Sequence, residues 1–219
     1  MKNLQKLGGF AALYLAAAYM TGIVLFLFVL DYPSIVEPVQ KAALLVEKQM
    51  VIYLTNLLMY VIFGVFLVVL VLALYERLGA ASAAVIRTAA VIGIIWAGAL
   101  IASGMIANAA IAPVVALYGK DPSQAAMTWL TVETVANGLG GANGEILGGL
   151  LTLLVSWAAL QVRGLARPLN YLGVLVGVVG IVSTVPGLGD LAGLFGMTQM
   201  VWFVWLGVIL LRRSQQAAG

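Results

Sequence analysis

The chain reads as an all-α, polytopic integral membrane protein. It forms a single transmembrane domain, residues 1–219, of six transmembrane helices with both termini cytoplasmic and a short outer surface helix at about 122–136. Three observations predict this. Hydrophobic residues make up 63% of the chain and charged residues 9%, with a mean hydropathy of +1.11, far from the roughly 25% charge of soluble domains. The charges cluster so as to leave six apolar windows, most of them reaching the ~20 residues that a helix rising 1.5 Å per residue needs to cross a bilayer. The basic residues are also lopsided. On a six-span serpentine Lys2, Lys6, Arg77, Arg87, Arg163, Arg167, Arg212 and Arg213 share one side, against Lys41, Lys48 and Lys120 on the other. The positive-inside rule places the larger set in the cytoplasm.

The first span, 7–30, follows a basic start that resembles a signal peptide. Its apolar run continues past the only Ala-rich point, "LAAA", so it reads as a retained helix. The outer connection "DYPSIVEPVQKAALLVEK" contains Pro33 and Pro38 and then no helix breaker, so its second half is expected to run as helix straight into the second span, 49–75. The third span, 88–112, lies in an uncharged window that ends at Gly119. "DPSQ" then supplies an N-cap in Asp121, a first-turn proline in Pro122, and Gln124 to complete a capping box. That helix should stop at Asn137-Gly138. Gln124, Thr128, Thr131 and Thr134 give it a polar stripe, hence its place at the outer surface.

The fourth span, 143–162, reaches spanning length when the window Ile146–Val162 is extended back to Asn143. The fifth, 169–187, opens after Pro168, and the sixth runs 191–211. Small residues recur at helical spacing on three of these helices: Gly93, Ala97, Gly104 and Asn108 on the third; Gly141, Glu145, Gly148, Thr152 and Ser156 on the fourth; Gly173, Gly177, Gly180 and Thr184 on the fifth. Small faces let backbones approach closely in lipid, so these three helices are expected to pack together. Val176, off that face, is expected to meet lipid.

Zero histidine and zero cysteine remove zinc and haem sites, thiol nucleophiles and the one side chain that titrates unperturbed near neutrality. No cofactor and no metal are expected. "PGLGDL" contains the Gly-x-Gly-Asp of presenilin-like intramembrane proteases. Those enzymes need a second aspartate in a Tyr-Asp pair, and the aspartates here are Asp31, Asp121 and Asp190 with no such pair. No nucleophile elbow, intramembrane lysine or phosphate-binding loop occurs, so the reading leans away from an enzyme. The pI of 9.3 rests on a net charge of only +3. It points to no nucleic-acid partner; the bilayer is the partner, with a membrane protein or second copy left open.

Polar residues concentrate in the outer half. Glu145 lies 18 residues from Arg163, roughly 27 Å along a helix, and Asn108 falls at a similar height. Tyr53 and Asn56 lie just below Lys48, and Gln199 below Asp190, while the inner half offers little beyond Ser156. This pattern predicts an outward-open polar pocket rather than a continuous pore, with Glu145, Asn143, Asn108, Asn56, Tyr53 and Gln199 as candidate ligand contacts. In "NGLGGANGEILGG" Asn143 can cap the fourth span, which places Glu145 in its first turn, where the helix dipole favours a carboxylate. Glu145 then reads as a helix-end carboxylate, a ligand contact or half of a buried ion pair. Asn56 and Asn108 read as interhelical hydrogen-bond partners or ligand contacts, and Glu133 as a solvated loop residue. The function expected is binding of a small ligand or partner through the outer half. A small-solute or cation transporter or channel subunit, which needs inner-half polar groups, and a carboxylate enzyme are the alternatives.

The runs "LLMYVIFGVFLVVLVLALYERL", "VIRTAAVIGIIWAGALIASGMI", "GEILGGLLTLLVSWAALQVRGLARPLNYLGVLVGVVGIV" and "WFVWLGVILLRR" carry a Leu-Tyr pair ending span two, an arginine opening span three, Pro-Leu-x-x-Leu-Gly opening span five and a Trp-rich span six. In these the chain resembles, over nearly its whole length, a bacterial family of six-span membrane proteins catalogued as domain-of-unknown-function family 4386. The resemblance implies a bacterial plasma (inner) membrane protein and brings no catalytic residue with it.

Reporter fusions at Gly79, Leu165 and Gly219 are expected to report cytoplasm, and fusions at Pro33 and Gly119 the outside. An even number of crossings between Gly79 and Gly119 would contradict six spans.

Overall fold

The computed structural model describes residues 2–79, 83–140 and 145–216, and all the regular structure among them is helical. Helix α1 (Lys2–Val24) widens into a π-helical stretch, Leu25–Val29. Asp31, with φ 44° and ψ 40°, then turns the chain, in a left-handed conformation that Asp and Asn tolerate better than most side chains. Helix α2 (Pro38–Glu47) carries its proline in the first turn. It does not run straight on: Lys48, at φ −114° and ψ 25°, interrupts it before α3 (Gln49–Asn56). A second π-helical stretch, Leu57–Ile62, joins α3 to α4 (Phe63–Arg77) in one long apolar run.

Helix α5 (Ala83–Tyr118) has 36 residues, roughly 54 Å at 1.5 Å each, so it outruns the expected span at both ends. Helix α6 (Pro122–Gly140) doubles back along its protruding end. Asp121 caps α6, the Gln124 N–H donating to its Oδ1 at 3.0 Å. The reciprocal half of the capping box does not form, because the Asp121 N–H donates to the Leu117 carbonyl at 2.9 Å. Nor does α6 stop at Asn137-Gly138. Ala136 and Gly140 are buried, and the Ser103 hydroxyl of α5 donates to the Ala136 carbonyl at 2.8 Å, so tertiary packing overrides the weak helix propensity of Asn-Gly. Helices α7 (Ile146–Val162), α8 (Arg167–Val182) and α9 (Leu191–Gln216) complete the chain.

Among the described residues, four runs are long and apolar enough to cross a membrane: Asn3–Val29, Gln49–Arg77, Ala83–Tyr118 and Leu191–Arg212. Helices α7 and α8 are apolar but shorter, at 17 and 16 residues. The fourth apolar helix thus begins at Ile146 rather than Asn143. Asn143 and Gly141 lie outside the described residues.

The helices close into a ring, α1 beside α4, then α5, α7, α8 and α9, with α9 returning to α1. Its middle is filled by aromatic rings. Phe63 of α4 meets Tyr19 of α1 at 5.6 Å between centroids, Trp96 of α5 at 6.1 Å and Phe203 of α9 at 6.4 Å. The ring's exterior is apolar, with Phe28, Val91, Ile95, Trp157 and Leu175 exposed, the pattern of a surface made for lipid rather than water. At one end Arg77 Nε donates to the Gly164 carbonyl at 3.2 Å and its Nη1 to Gln5 Oε1 at 3.4 Å. This arginine end gathers the start of α1, the end of α4 and the α7–α8 turn. The opposite, capped end carries α2 and α6.

The small faces of α7 and α8 do meet: a Cβ on Gly177 would lie 2.6 Å from Leu153 Cβ and 2.8 Å from the Gly149 carbonyl. The third small face divides between two neighbours. Gly93 faces Val71 and Leu151, whereas Gly104 faces Tyr60 and the Asn56 carbonyl, so Gly104 turns toward the second apolar run and away from α7. Val176 is fully buried rather than lipid-facing; the exposed positions on α8 include Leu175 and Val178.

Gly177→Leu is expected to lower stability by about 1–3 kcal/mol through overpacking, while Val178→Leu is nearly silent, both read from unfolding in detergent. Equal tolerance at the two positions would show that the α7–α8 contact does not depend on the glycine.

Candidate functional site

Two cavities lie in the capped half and share one side chain, Tyr60. Tyr60 sits on the π-helical stretch Leu57–Ile62, and such widened turns inside α-helical runs often mark functional positions. The first cavity, about 220 Å³, lies between the α1–α2 connection, α3, α5 and α6. The second, about 150 Å³, lies deeper, against α1, α4 and α5 and below Gly140 and Glu145.

The wall of the first cavity is a bonded network. The Tyr32 hydroxyl donates to Glu133 Oε1, and Trp129 Nε1 donates to the Tyr32 oxygen at 3.2 Å. Lys41 Nζ stands 3.9 Å from Glu133 Oε2 and 4.8 Å from the centroid of the Tyr32 ring, within cation–π range. Burial, and then the Glu133 charge and hydrogen bond, push the Tyr32 hydroxyl well above the usual tyrosine range, so it remains a proton donor at any physiological pH. Glu133 is therefore no solvated loop residue: its side chain is 15% exposed and ties α6 to α2 and to the turn after α1. Deeper in the wall, Asn56 Nδ2 donates to Asn108 Oδ1 at 3.0 Å and Asn108 Nδ2 to the Tyr53 carbonyl at 3.2 Å.

The second cavity is mostly aromatic, with Tyr19, Tyr60, Phe63 and Trp96 joined by Met59 and Leu100. Adjacent rings stand nearly perpendicular, Tyr19 to Phe63 at 77° and Phe63 to Trp96 at 72°. These rings pack edge to face on one another, and the cavity lies beside them. The ionisable acid of this lining is Glu145. It occupies the N-cap position of α7 instead of the first turn, and its side chain makes no capping bond. Its N–H donates to Ser183 Oγ at 3.2 Å, and that hydroxyl donates to the Gly180 carbonyl at 2.6 Å, which pins the start of α7 to the end of α8. Among the described residues no lysine or arginine pairs with Glu145. Helix-end carboxylate and ligand contact both remain open to it, while the buried ion pair finds no partner there.

The six sequence-predicted residues thus separate. Glu145 lines the second cavity and Asn56 the first, and Asn108 holds Asn56 in place. Tyr53 contributes its carbonyl, and the residue is 43% exposed. Gln199 is buried in α9, where its Oε1 accepts from the Thr152 hydroxyl at 2.9 Å, apart from the lining of either cavity. Asn143 lies outside the described residues. Sequence reasoning missed the aromatic walls, since Tyr19, Tyr60, Phe63 and Trp96 in apolar runs look like ordinary core. Ser156, the polar residue expected in the inner half, is buried, and sequence reasoning missed the buried Asn170 amide and Trp202 Nε1; among the described residues none of these groups has a hydrogen-bond partner. Compared with protein-family models, curated proteins and solved structures, the chain matches none.

Tyr32→Phe is expected to cost about 1.5–3 kcal/mol, the range for a hydrogen bond to a charged group. A double-mutant cycle with Glu133→Gln should give a coupling of at least about 1 kcal/mol. Strict additivity in thermal unfolding would mean that the network does not hold the cap.

Proposed function

We propose that the protein is a non-enzymatic, six-span protein of the bacterial plasma membrane that binds a small cationic ligand in its outer half, with Glu145 as the counter-charge. The observation that carries this reading is the cavity itself. A carboxyl group without a basic partner among the described residues borders a space otherwise walled by rings and aliphatic side chains. Ligand sites are commonly apolar pockets with a few placed polar groups, and an ionisable residue at membrane depth carries a desolvation cost that function explains better than stability does.

The six-span topology is supported by the closure of the ring. Helices α7 and α8 stand between two of the longer runs, α7 beside α5 and α8 beside α9. At 17 and 16 residues they measure roughly 25 Å, a shortfall that local bilayer thinning can accommodate. The excess of basic residues at the arginine end supports a cytoplasmic position for that end and an outer position for the capped end. The first cavity then lies nearer the outer water and leads toward the second past Tyr60.

Transport is the second reading, favoured by the buried polar atoms of Ser156 and Asn170 toward the inner half. The aromatic cluster around Phe63 fills the middle of the ring and weighs against an open path.

Glu145→Gln keeps the shape of the side chain and removes its charge. In a thermal-unfolding screen of amines, the parent protein is expected to be stabilised by about 2.7 kcal/mol at a ligand concentration 100 times Kd. The variant should fold normally and lose that response. Equal stabilisation of both proteins would reduce Glu145 to a helix-end residue.

A further inference from the structure

The lining of the Glu145 cavity bears on which cation it takes, an inference that rests on the binding reading above. A primary ammonium carries three N–H donors and requires an acceptor for each once it leaves water. The side-chain acceptors of this lining are the Glu145 carboxylate and the hydroxyls of Tyr19 and Tyr60; Phe63, Trp96, Leu100 and Met59 supply ring or aliphatic surface. That set offers a bare ammonium enough acceptors, so what favours one cation over another here is the extent of ring surface. A methylated ammonium has the opposite needs: its charge is spread over methyl groups, it requires few or no acceptors, and it is drawn to aromatic surfaces by cation–π attraction. The four ring-bearing side chains come from three elements, α1, the Leu57–Ile62/α4 run and α5, and neighbouring rings stand at 77° and 72°. They enclose the space from several directions. Its volume of about 150 Å³ equals that of an engineered apolar cavity that admits benzene, so a group of about five heavy atoms, such as tetramethylammonium, fits.

We infer that Tyr19, Tyr60, Phe63 and Trp96 form an aromatic cage for a methylated ammonium group, closed by the Glu145 carboxylate. The group can arrive on a free solute or on a lipid headgroup, and the chemistry of recognition is the same.

The test uses the full chain in nanodiscs of choline-free lipid. Thermal stabilisation is followed with methylammonium, dimethylammonium, trimethylammonium and tetramethylammonium, and with tert-butanol as a neutral compound of similar shape. Apparent affinity is expected to rise at least tenfold from methylammonium to tetramethylammonium, with no response to tert-butanol. Tyr60→Leu should flatten this preference, and Tyr19→Leu provides a second reading should the first variant fail to fold. In phosphatidylcholine nanodiscs, a higher melting temperature together with loss of the tetramethylammonium response would assign the cage to a lipid headgroup; an unchanged response would assign it to a free solute. Affinity that falls or stays level with methylation overturns the cage and leaves amine binding at Glu145 standing. Absence of stabilisation by every cation overturns both readings.

Discussion

Phe63 is the contact on which the bundle depends. In hydrocarbon the helices gain little from hiding apolar surface from one another, so association rests on packing and on what few polar bonds can be made. Phe63 sits on α4 and is 3% exposed, and its ring meets rings from α1, α5 and α9. One side chain thereby joins four of the six members of the ring. The remaining two, α7 and α8, are held by a different device, the close approach of backbones at Gly149 and Gly177. Aromatic bulk on one side and absent side chains on the other are complementary solutions to the same problem.

This division explains where space is left. Around Gly149, Gly177 and Gly180 the backbones are too close for a cavity. Around Phe63 the near-perpendicular rings cannot fill every gap, and the gap on the capped side is the one that Glu145 borders. The π-helical stretch Leu57–Ile62 places Tyr60 between this cavity and its outer neighbour. Above them, Tyr32, Lys41, Trp129 and Glu133 fasten the cap. Scaffold, cavity and cap are therefore stacked along the bundle axis, each resting on the one beneath.

Much of the frame was legible in the sequence because hydrocarbon is a strict solvent. Uncharged windows become helices, and Ile146–Val162 matched its window at both ends. The Asp121 cap was readable from local chemistry alone. What was not legible depended on partners distant in the chain. Glu133 looks like any loop carboxylate until Tyr32, about a hundred positions away, is folded against it. Asn137-Gly138 signals a helix end, yet α5 holds the helix together through Ser103. The cage residues carry no signal of their own, since a tyrosine or tryptophan in an apolar run is equally at home in a core, at an interface or beside a ligand. Glu145 could be singled out because charge is scarce at that depth; its aromatic neighbours could not.

The central claim is that the space beside Glu145 is a cation site walled by rings. A high-resolution density map of the protein extracted with its native lipid tests this most directly, since it captures whatever occupies the cavity in the cell. The account predicts compact density in contact with the Glu145 carboxylate and within about 6 Å of the Phe63 and Trp96 ring centroids, the range of a cation–π contact. A cavity closed by inward movement of Tyr60, or Glu145 paired with a lysine or arginine of the protein itself, would contradict it.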